Sequence, residues 1–180
     1  MTTPQTTILE TERLMLRLLT MDDVEALFPM YSDPEVRQYF PDFTRTYEET
    51  KEEVDYFVNR CYQKHGFGLW ATVDKATGEL IGRCGLLSWE IEEREEVEVA
   101  YLLAKAYWGR GLATEAAQGI VQYAFEQLNI SRLICLVDPG NTASQNVAQK
   151  IGMTLEKDGD IGDGERTFVY SMNRPMTNSD

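Results

Sequence analysis

One segment decides how this sequence folds: Tyr107-Trp108-Gly109-Arg110-Gly111-Leu112-Ala113-Thr114-Glu115-Ala116. It lies between an apolar, strand-like run and a long stretch with helical periodicity. Its two glycines allow a tight backbone path with no side chain in the way, so several backbone N–H groups can point at one anion. The N-terminus of the following helix adds its positive dipole. The segment therefore predicts a phosphate or pyrophosphate site that needs no lysine.

The residues before this segment predict helices followed by an antiparallel meander. Strands are expected at 67–73, 80–89 and 97–104, and the turn-like segment 75–78 favours antiparallel pairing of the first two. An apolar run at 13–19 indicates an earlier strand. Three helices follow that run: one opened by Thr20 and continuing to about residue 30, a short one beginning at Asp33-Pro34, and one from the capping box of Thr46 and Glu49 to about residue 64.

The residues after the glycine segment alternate between helix and strand. A helix with one apolar stripe is predicted from 111 to about 128, and the continuously apolar run 132–137 is typical of a buried parallel strand. Asn141 caps a further helix, and two strands, near 154–157 and 167–172, flank a polar loop. The predicted fold class is α+β, an α/β three-layer arrangement in which a mixed, mostly antiparallel sheet of about seven strands has helices on both faces.

Length and composition predict a single globular domain. The 180 residues suit one domain at 8–175, with flexible ends at 1–7 and 176–180. No apolar run approaches the roughly 20 residues that a membrane-spanning helix needs, and Met1–Thr7 lacks the pattern of a secretion signal. Three widely spaced cysteines fit a reducing compartment. We therefore expect a cytoplasmic protein that does not enter a membrane.

The charge balance excludes some partners. The formal net charge of −13 argues against nucleic acid, which requires a basic surface. The same charge would favour the approach of a cationic partner. With His65 as the single histidine, a histidine-based triad or zinc site is not expected, and no metal is predicted.

A dinucleotide-binding fold is the alternative interpretation of the glycine segment. Its fingerprint would place Gly or Ala where Thr114 stands, and an acidic residue at the end of the next strand, near Asp138. The predicted antiparallel first half and the mid-chain position of the loop argue against it. Only a mononucleotide half-fold would remain.

The segment also resembles a known family. Trp108 to Ala113 is similar to the coenzyme A signature R/Q-x-x-G-x-G/A of the GNAT superfamily, with Trp108 in place of Arg or Gln. This replacement, followed by Thr114-Glu115-Ala116, resembles the RimJ/RimL-like branch, which contains the ribosomal-protein N-terminal acetyltransferases. The resemblance covers about residues 8–175. Its other landmarks occur in order: Glu10-Thr11-Glu12-Arg13-Leu14, Asp33-Pro34-Glu35-Val36, Glu98-Val99-Ala100-Tyr101, Asn141-Thr142-Ala143-Ser144 and Lys150-Ile151-Gly152-Met153.

The resemblance implies how acetyl-coenzyme A binds. The strand before the glycine loop would splay from its parallel neighbour, and the pantothenate arm would lie in the V-shaped gap against the main chain of Leu102 and Leu103. Asn141 would contact the amide arm in addition to capping its helix. The pyrophosphate would be cradled by the loop and first helical turn, namely Trp108, Gly109, Arg110, Gly111, Leu112, Ala113 and Thr114.

Two residues are the candidates for catalysis. By resemblance, Ser144 would donate a hydrogen bond to the departing sulfur, and a thiol with a pKa of about 8.5 needs only modest help. Glu98 would accept a proton from the amine, because burial in an apolar strand raises the pKa of a carboxyl group usefully. The neighbouring glutamates keep a second interpretation open, in which this acidic run is a solvated hairpin: Glu92, Glu93, Glu95 and Glu96.

The functional hypothesis is an N-acetyltransferase that moves acetyl from acetyl-coenzyme A directly to a primary amine. An α-amine has a pKa of about 8 and lysine about 10.4, so a weak base favours a protein N-terminus. A polyamine or aminoglycoside acceptor and a non-catalytic acyl-coenzyme A-binding module remain alternatives, as do monomer and homodimer. Cys135 is expected to be an inert buried thiol. Candidates for an acceptor pocket, or for the core, are Tyr39, Phe40, Phe43 and Trp70.

Overall fold

A mixed sheet organises the computed structural model, which describes residues 6–40 and 44–175. Within these residues the sheet has eight strands in the order β1-β2-β3-β4-β5-β6-β8-β7. Of the flexible ends predicted at 1–7 and 176–180, residues 1–5 and 176–180 lie outside the described residues, as does Phe43, whereas Thr7 begins the first strand. The strands are β1 (Thr7–Glu10), β2 (Leu14–Arg17), β3 (Leu69–Asp74), β4 (Leu80–Ile91), β5 (Arg94–Leu103), β6 (Arg132–Val137), β7 (Thr154–Asp160) and β8 (Arg166–Asn173).

The helices begin where capping residues predict them. The Thr46 Oγ1 atom accepts from Glu49 N at 3.3 Å, and the Asp33 and Asn141 side chains cap their helices in the same way. The helix predicted to about residue 64 contains a π-helical turn at Phe57–Cys61. The helices are α1 (Val24–Tyr31, after a 3₁₀ turn at Met21–Asp23), α2 (Pro34–Arg37), α3 (Tyr47–Tyr56), α4 (Tyr62–His65), α5 (Leu112–Glu126) and α6 (Thr142–Lys150).

The sequence analysis did not predict the strand β1, so the sheet has eight strands rather than about seven. It is four residues long, lies at the edge of the sheet and pairs antiparallel with β2. Thr7 and Glu10 are exposed, and only Ile8 and Leu9 pack against the core. So short a strand, half of it polar, has no alternation long enough to be recognised.

The sheet carries a separate core on each face. Successive side chains of a strand point to opposite faces, so Val99 and Leu103 of β5 pack with α5 and α6, whereas Leu102 packs with α1 and α3. Helices therefore cover both faces, as predicted. None of the helices in the described part of the chain has the length and apolar character needed to cross a membrane.

The parallel pair β5 and β6 is joined at a single position, Glu98 opposite Ile134. Beyond that position β5 stays with β4 as far as Leu103 opposite Gly82, while β6 stays with β8 as far as Val137 opposite Phe168. The two strands thus separate toward their carboxyl ends. This V-shaped gap is the splayed pair that the family resemblance implied.

Candidate active site

The glycine loop is shaped to bind an anion. Gly109 and Gly111 have φ angles of +71° and +75°, a left-handed conformation that residues with a side chain rarely adopt. The first hydrogen bond of α5 runs from Glu115 N to Gly111 O at 3.0 Å. The backbone N–H groups of residues 112–114 therefore have no acceptor within the helix. Together with the helix dipole, they form a site suited to a phosphate group.

Trp108 anchors this loop to the end of β5. Its indole Nε1 donates to the Leu103 carbonyl oxygen at 2.8 Å, although 42% of the residue is exposed. Arg110 also lies in the loop, with its guanidinium carbon 5.2 Å from the centre of the Tyr107 ring. The residue that replaces the usual Arg or Gln of the signature thus supports the loop through a contact to the strand.

A second anchor joins the loop to the N-terminal strands. The Glu115 carboxylate accepts from Thr11 Oγ1 at 2.6 Å, from Arg13 N at 2.7 Å and from Arg13 Nε at 2.6 Å. The same guanidinium donates to the Arg110 carbonyl oxygen at 2.9 Å. Burial raises the pKa of Glu115, but the hydrogen bonds from Thr11 and Arg13 outweigh it and the pKa is lowered. The sequence offered no signal for this contact between Glu115 and Arg13.

The gap between β5 and β6 is bordered by main-chain groups of alternate residues. Ala104 N donates to the Ile81 oxygen on β4, and alternate peptides of a strand face the same neighbour, so the Leu102 peptide also faces β4. The peptides of Tyr101 and Leu103 face the gap. Of the two leucines predicted to bind the pantothenate arm, Leu103 is the one whose main chain borders the gap.

On the α5 and α6 side of the sheet, Ser144 meets Tyr101. Asn141 Oδ1 caps α6 by accepting from Ser144 N at 3.0 Å, which leaves the Asn141 amide nitrogen as a further donor. The Tyr101 hydroxyl lies 3.0 Å from Ser144 Oγ and donates to the Ser144 carbonyl oxygen, also at 3.0 Å. Tyr101 belongs to the family landmark Glu98-Val99-Ala100-Tyr101, but the sequence offered no signal for its contact with Ser144.

On the opposite face, Glu98 is separated from the acidic run that precedes it. Only 9% of Glu98 is exposed, and its Oε2 accepts from the Trp89 indole nitrogen at 2.6 Å. By contrast, Glu92, Glu93 and Glu95 are exposed, and Glu96 pairs with Arg132. The structure thus distinguishes the candidate base from the solvated glutamates around it.

The surroundings of Glu98 raise its pKa to about 7. Burial is the largest cause, since it disfavours the charged form. The Trp89 hydrogen bond, the Leu136 backbone N–H and the nearby Arg83 lower the pKa in turn. A carboxyl group with a pKa near neutrality is able both to accept and to release a proton at physiological pH.

The aromatic candidates for an acceptor pocket that the structure describes differ in how deeply they are buried. Trp70 is buried and packs edge-on against Tyr123, so it belongs to the core. Phe40 lies 4.2 Å from the Arg37 guanidinium carbon. Tyr39 is half-exposed and lies beside Gly140, in the loop between β6 and α6, close to the gap. Among these aromatic residues, Tyr39 is therefore placed best to meet a bound molecule.

The cysteines offer no nucleophile. Cys61, Cys84 and Cys135 are all buried and none forms a disulfide. Burial raises the pKa of Cys84 to about 11 and also raises that of Cys135, whose Sγ lies 3.2 Å from the Val99 oxygen. Because only the thiolate is a good nucleophile, these thiols are unsuited to carry an acetyl group. Within residues 6–40 and 44–175, no group of three or more His, Cys, Asp or Glu is arranged to hold a metal.

A family model described as the acetyltransferase (GNAT) domain matches residues 13–154. The chain belongs to the GNAT acetyltransferase family. This GNAT acetyltransferase is 37% identical to YkkB of Bacillus subtilis over 152 residues, which cover 84% of this chain and 87% of YkkB. Relatives from Bacillus that are 30% or 31% identical carry N-acetyltransferase in their names. The chain is thus an acetyl-coenzyme A-dependent N-acetyltransferase, as predicted.

Solved structures share its fold. The acetyltransferase of Agrobacterium tumefaciens matches with a TM-score of 0.79 and 31% identity, over 97% of this chain and 96% of that one. RimL, a ribosomal alpha-N-protein acetyltransferase, matches with a TM-score of 0.79 and 20% identity, over 94% of this chain and 95% of that one. RimL has also been solved with coenzyme A. At 20% identity the likeness to RimL concerns the fold alone.

Proposed function

We propose that this GNAT acetyltransferase transfers the acetyl group of acetyl-coenzyme A to the α-amine of a protein N-terminus, by direct attack in a ternary complex. The observation that carries the proposal is the buried Glu98 carboxyl group, with a pKa of about 7, beside the point where β5 and β6 separate. RimL, an alpha-N-protein acetyltransferase, is an example of this fold acting on such an acceptor.

The residues around the gap fit coenzyme A. The backbone N–H groups of residues 109–114 would hold the pyrophosphate, and no described heavy atom lies within 4 Å of where a Cβ on Gly109 would stand, which leaves room for the phosphates. The peptides of Tyr101 and Leu103 would bond the pantothenate arm, and the Asn141 amide nitrogen would contact one of its carbonyl groups. Acetyl-coenzyme A supplies the activated thioester.

The lower pKa of an α-amine makes it an easier proton donor to Glu98 than a lysine. Moving a proton from an α-ammonium group with a pKa of about 8 to Glu98 costs about 1.4 kcal/mol. The same transfer from a lysine with a pKa of about 10.4 costs about 4.6 kcal/mol. The difference of about 3 kcal/mol corresponds to a factor of more than 100 in the concentration of reactive amine.

In the proposed reaction, Glu98 acts from one face of the sheet and Ser144 from the other. The nitrogen gives its proton to the Glu98 carboxylate, and its lone pair forms a bond to the thioester carbonyl carbon. A backbone N–H group of β5 that faces the gap would polarise the carbonyl oxygen. The carbonyl double bond re-forms as the carbon–sulfur bond breaks, and the electron pair of that bond leaves with the sulfur, which accepts a hydrogen bond from the Ser144 hydroxyl. The nitrogen gives its remaining extra proton to solvent, which leaves a neutral amide.

A small cationic amine is the second candidate acceptor. The net charge of −13 would attract a polyamine or an aminoglycoside more strongly than a neutral peptide. The amines of a polyamine are alkylamines like that of lysine, with a pKa of about 10.4, so their proton transfer to Glu98 would be less favourable than that from an N-terminus.

The test is acetyl transfer with purified protein, detected by free thiol and by mass spectrometry of the acceptor. The matched acceptors are a lysine-free peptide with a free N-terminus and an N-acetylated peptide that contains one lysine; spermidine and an aminoglycoside complete the set. We expect acetylation of the free N-terminus. Transfer only to lysine or to small amines would overturn the acceptor class. Binding of acetyl-coenzyme A with no transfer to any amine would indicate a binding module.

A further inference from the structure

The hydroxyl group of Tyr101 contacts both oxygen atoms of Ser144. It lies 3.0 Å from Ser144 Oγ and 3.0 Å from the Ser144 carbonyl oxygen. Tyr101 comes from β5, which borders the gap, whereas Ser144 lies in the first turn of α6. The contact therefore joins the strand that would hold the pantothenate arm to the helix that would face its sulfur.

We propose that Tyr101 is a positioning residue for Ser144, which directs the serine hydroxyl hydrogen toward the departing sulfur. The inference rests on the proposed function of Ser144. A serine hydroxyl has one hydrogen and two lone pairs. When Tyr101 donates to Ser144 Oγ, it occupies a lone pair, and the serine hydrogen points elsewhere. When Tyr101 donates to the carbonyl oxygen instead, the serine hydrogen is drawn to the tyrosine oxygen.

These two arrangements differ only in the rotation of one O–H bond, because both acceptors are 3.0 Å from the same tyrosine oxygen. As the carbon–sulfur bond breaks, negative charge collects on the sulfur, and a hydrogen bond from Ser144 to that charge strengthens. The strengthened bond leaves Ser144 Oγ a better acceptor. The arrangement in which Tyr101 donates to Oγ is then the stable one.

Tyr101 supports this step as a hydrogen-bond donor and keeps its own proton. Burial raises its pKa, and the neighbouring Cys135 and Glu98 raise it further. A thiol with a pKa of about 8.5 is a stronger acid than this phenol, so a proton would not pass from Tyr101 to the sulfur. The electron pair of the broken bond stays on the sulfur, and the thiolate takes its proton from solvent.

The test is a double-mutant cycle of Tyr101→Phe and Ser144→Ala, measured as kcat and as KM for acetyl-coenzyme A. We expect each single variant to lower kcat about fivefold to tenfold, the usual effect of one hydrogen bond, with KM changed less than twofold. The double variant should match Ser144→Ala, because Tyr101 would act only through the serine. Tyr170→Phe is the control, since that buried tyrosine on β8 faces Gln149, 3.5 Å from its hydroxyl.

Losses that multiply in the double variant would overturn the proposal, as would wild-type kcat in Tyr101→Phe. Thermal melting of wild type and of all four variants shows whether each is folded. If Tyr101→Phe is not, 3-fluorotyrosine introduced at position 101 keeps the hydroxyl and makes it a stronger donor. The 3-fluorotyrosine should change kcat when Ser144 is present and should leave kcat unchanged in the Ser144→Ala variant. An equal change of kcat in both proteins would contradict the proposal. A wild-type protein without any acetyl transfer would instead refute the proposed function.

Discussion

The Arg13 Nε atom lies 2.6 Å from Glu115 Oε2, although the two residues are 102 positions apart in the sequence. Glu115 sits in the first turn of α5, next to the amides that would bind a pyrophosphate. An unpaired carboxylate at this position would repel that anion. Arg13 neutralises Glu115 and also donates to the Arg110 carbonyl oxygen, so it would hold the proposed phosphate site in shape and free of uncompensated negative charge.

Removal of Arg13 should weaken coenzyme binding. We expect Arg13→Ala to raise KM for acetyl-coenzyme A about tenfold with a smaller change in kcat, because Glu115 would then face the pyrophosphate unpaired. Stability should fall by less than about 1 kcal/mol, since the Arg13 side chain is 46% exposed. The control is Arg13→Ala combined with Glu115→Gln, which removes both charges and should recover part of the affinity. No recovery would show that the contact acts by shape instead of charge.

Glu98→Gln should abolish most of the activity while leaving coenzyme binding intact. Loss of a positioned base typically lowers turnover by about 10²- to 10⁴-fold. The loss should shrink at high pH, where more of the amine is already neutral. Glu95→Gln is the matched control, because Glu95 is an exposed glutamate on the same strand. Equal activity of the two variants at every pH would remove Glu98 as the base.

Glu98→Gln should also stabilise the protein in alkaline buffer. The pKa of Glu98 is raised from 4.5 to about 7 in the folded state. Between these values the folded protein holds a proton that the unfolded chain releases, so stability falls as pH rises through this window. The loss is complete above pH 7 and amounts to about 3 kcal/mol. Glu98→Gln should therefore melt higher than wild type at pH 8.5, with the difference smallest near pH 4.5. A constant difference would contradict the raised pKa.

Trp89 should set the pH dependence of the reaction. Its indole hydrogen bond favours the ionised form of Glu98 and lowers the pKa of that group. We expect Trp89→Phe to move the acidic limb of the kcat/KM profile to higher pH, above about 7. The residue is 44% exposed, so the change should cost little stability. A limb that stays in place or moves to lower pH would argue that another group governs it.

Gly111→Val should prevent coenzyme binding in a folded protein. The φ angle of +75° costs a residue with a side chain about 1–2 kcal/mol, and the added methyl groups would stand in the path of the phosphates. Gly78→Val is a close control, because Gly78 has a φ angle of +73° in the turn between β3 and β4. Both variants should lose similar stability by thermal melting, but only Gly111→Val should lose affinity by calorimetry. Unchanged affinity would mean that the phosphates bind elsewhere.

Local signals in the sequence predicted much of the fold. The capping residues Thr46 and Asn141 marked helix starts, and the apolar run of β6 coincides with the strand from Arg132 to Val137. The edge strand β1 was missed because it is short and half polar. The π-helical turn at Phe57–Cys61 was also missed, since it leaves the apolar pattern of the helix uninterrupted.

The candidate site was predictable only in part, for a physical reason. The tight loop at Gly109 and Gly111 could be predicted because a left-handed backbone conformation restricts the residue type. The contacts of Glu115 with Arg13 and of Ser144 with Tyr101 join segments that are distant in sequence, and periodicity carries no information about such contacts. The burial that raises the pKa of Glu98 likewise depends on tertiary packing.

The sheet consists of two blocks that are joined only at the pair Glu98 and Ile134 among the described residues. One block has five strands, β1 to β5, and the other has three, in the order β6, β8 and β7. The strand pair β5 and β6 therefore has fewer paired positions than the other strand pairs of the sheet, and residues of α5 and α6 pack in one core with residues of both blocks. A molecule that forms hydrogen bonds to both β5 and β6 across the gap would hold the two blocks together. Binding of that molecule and separation of the two blocks would then be thermodynamically coupled. A change that favours separation of β5 from β6 would also weaken binding.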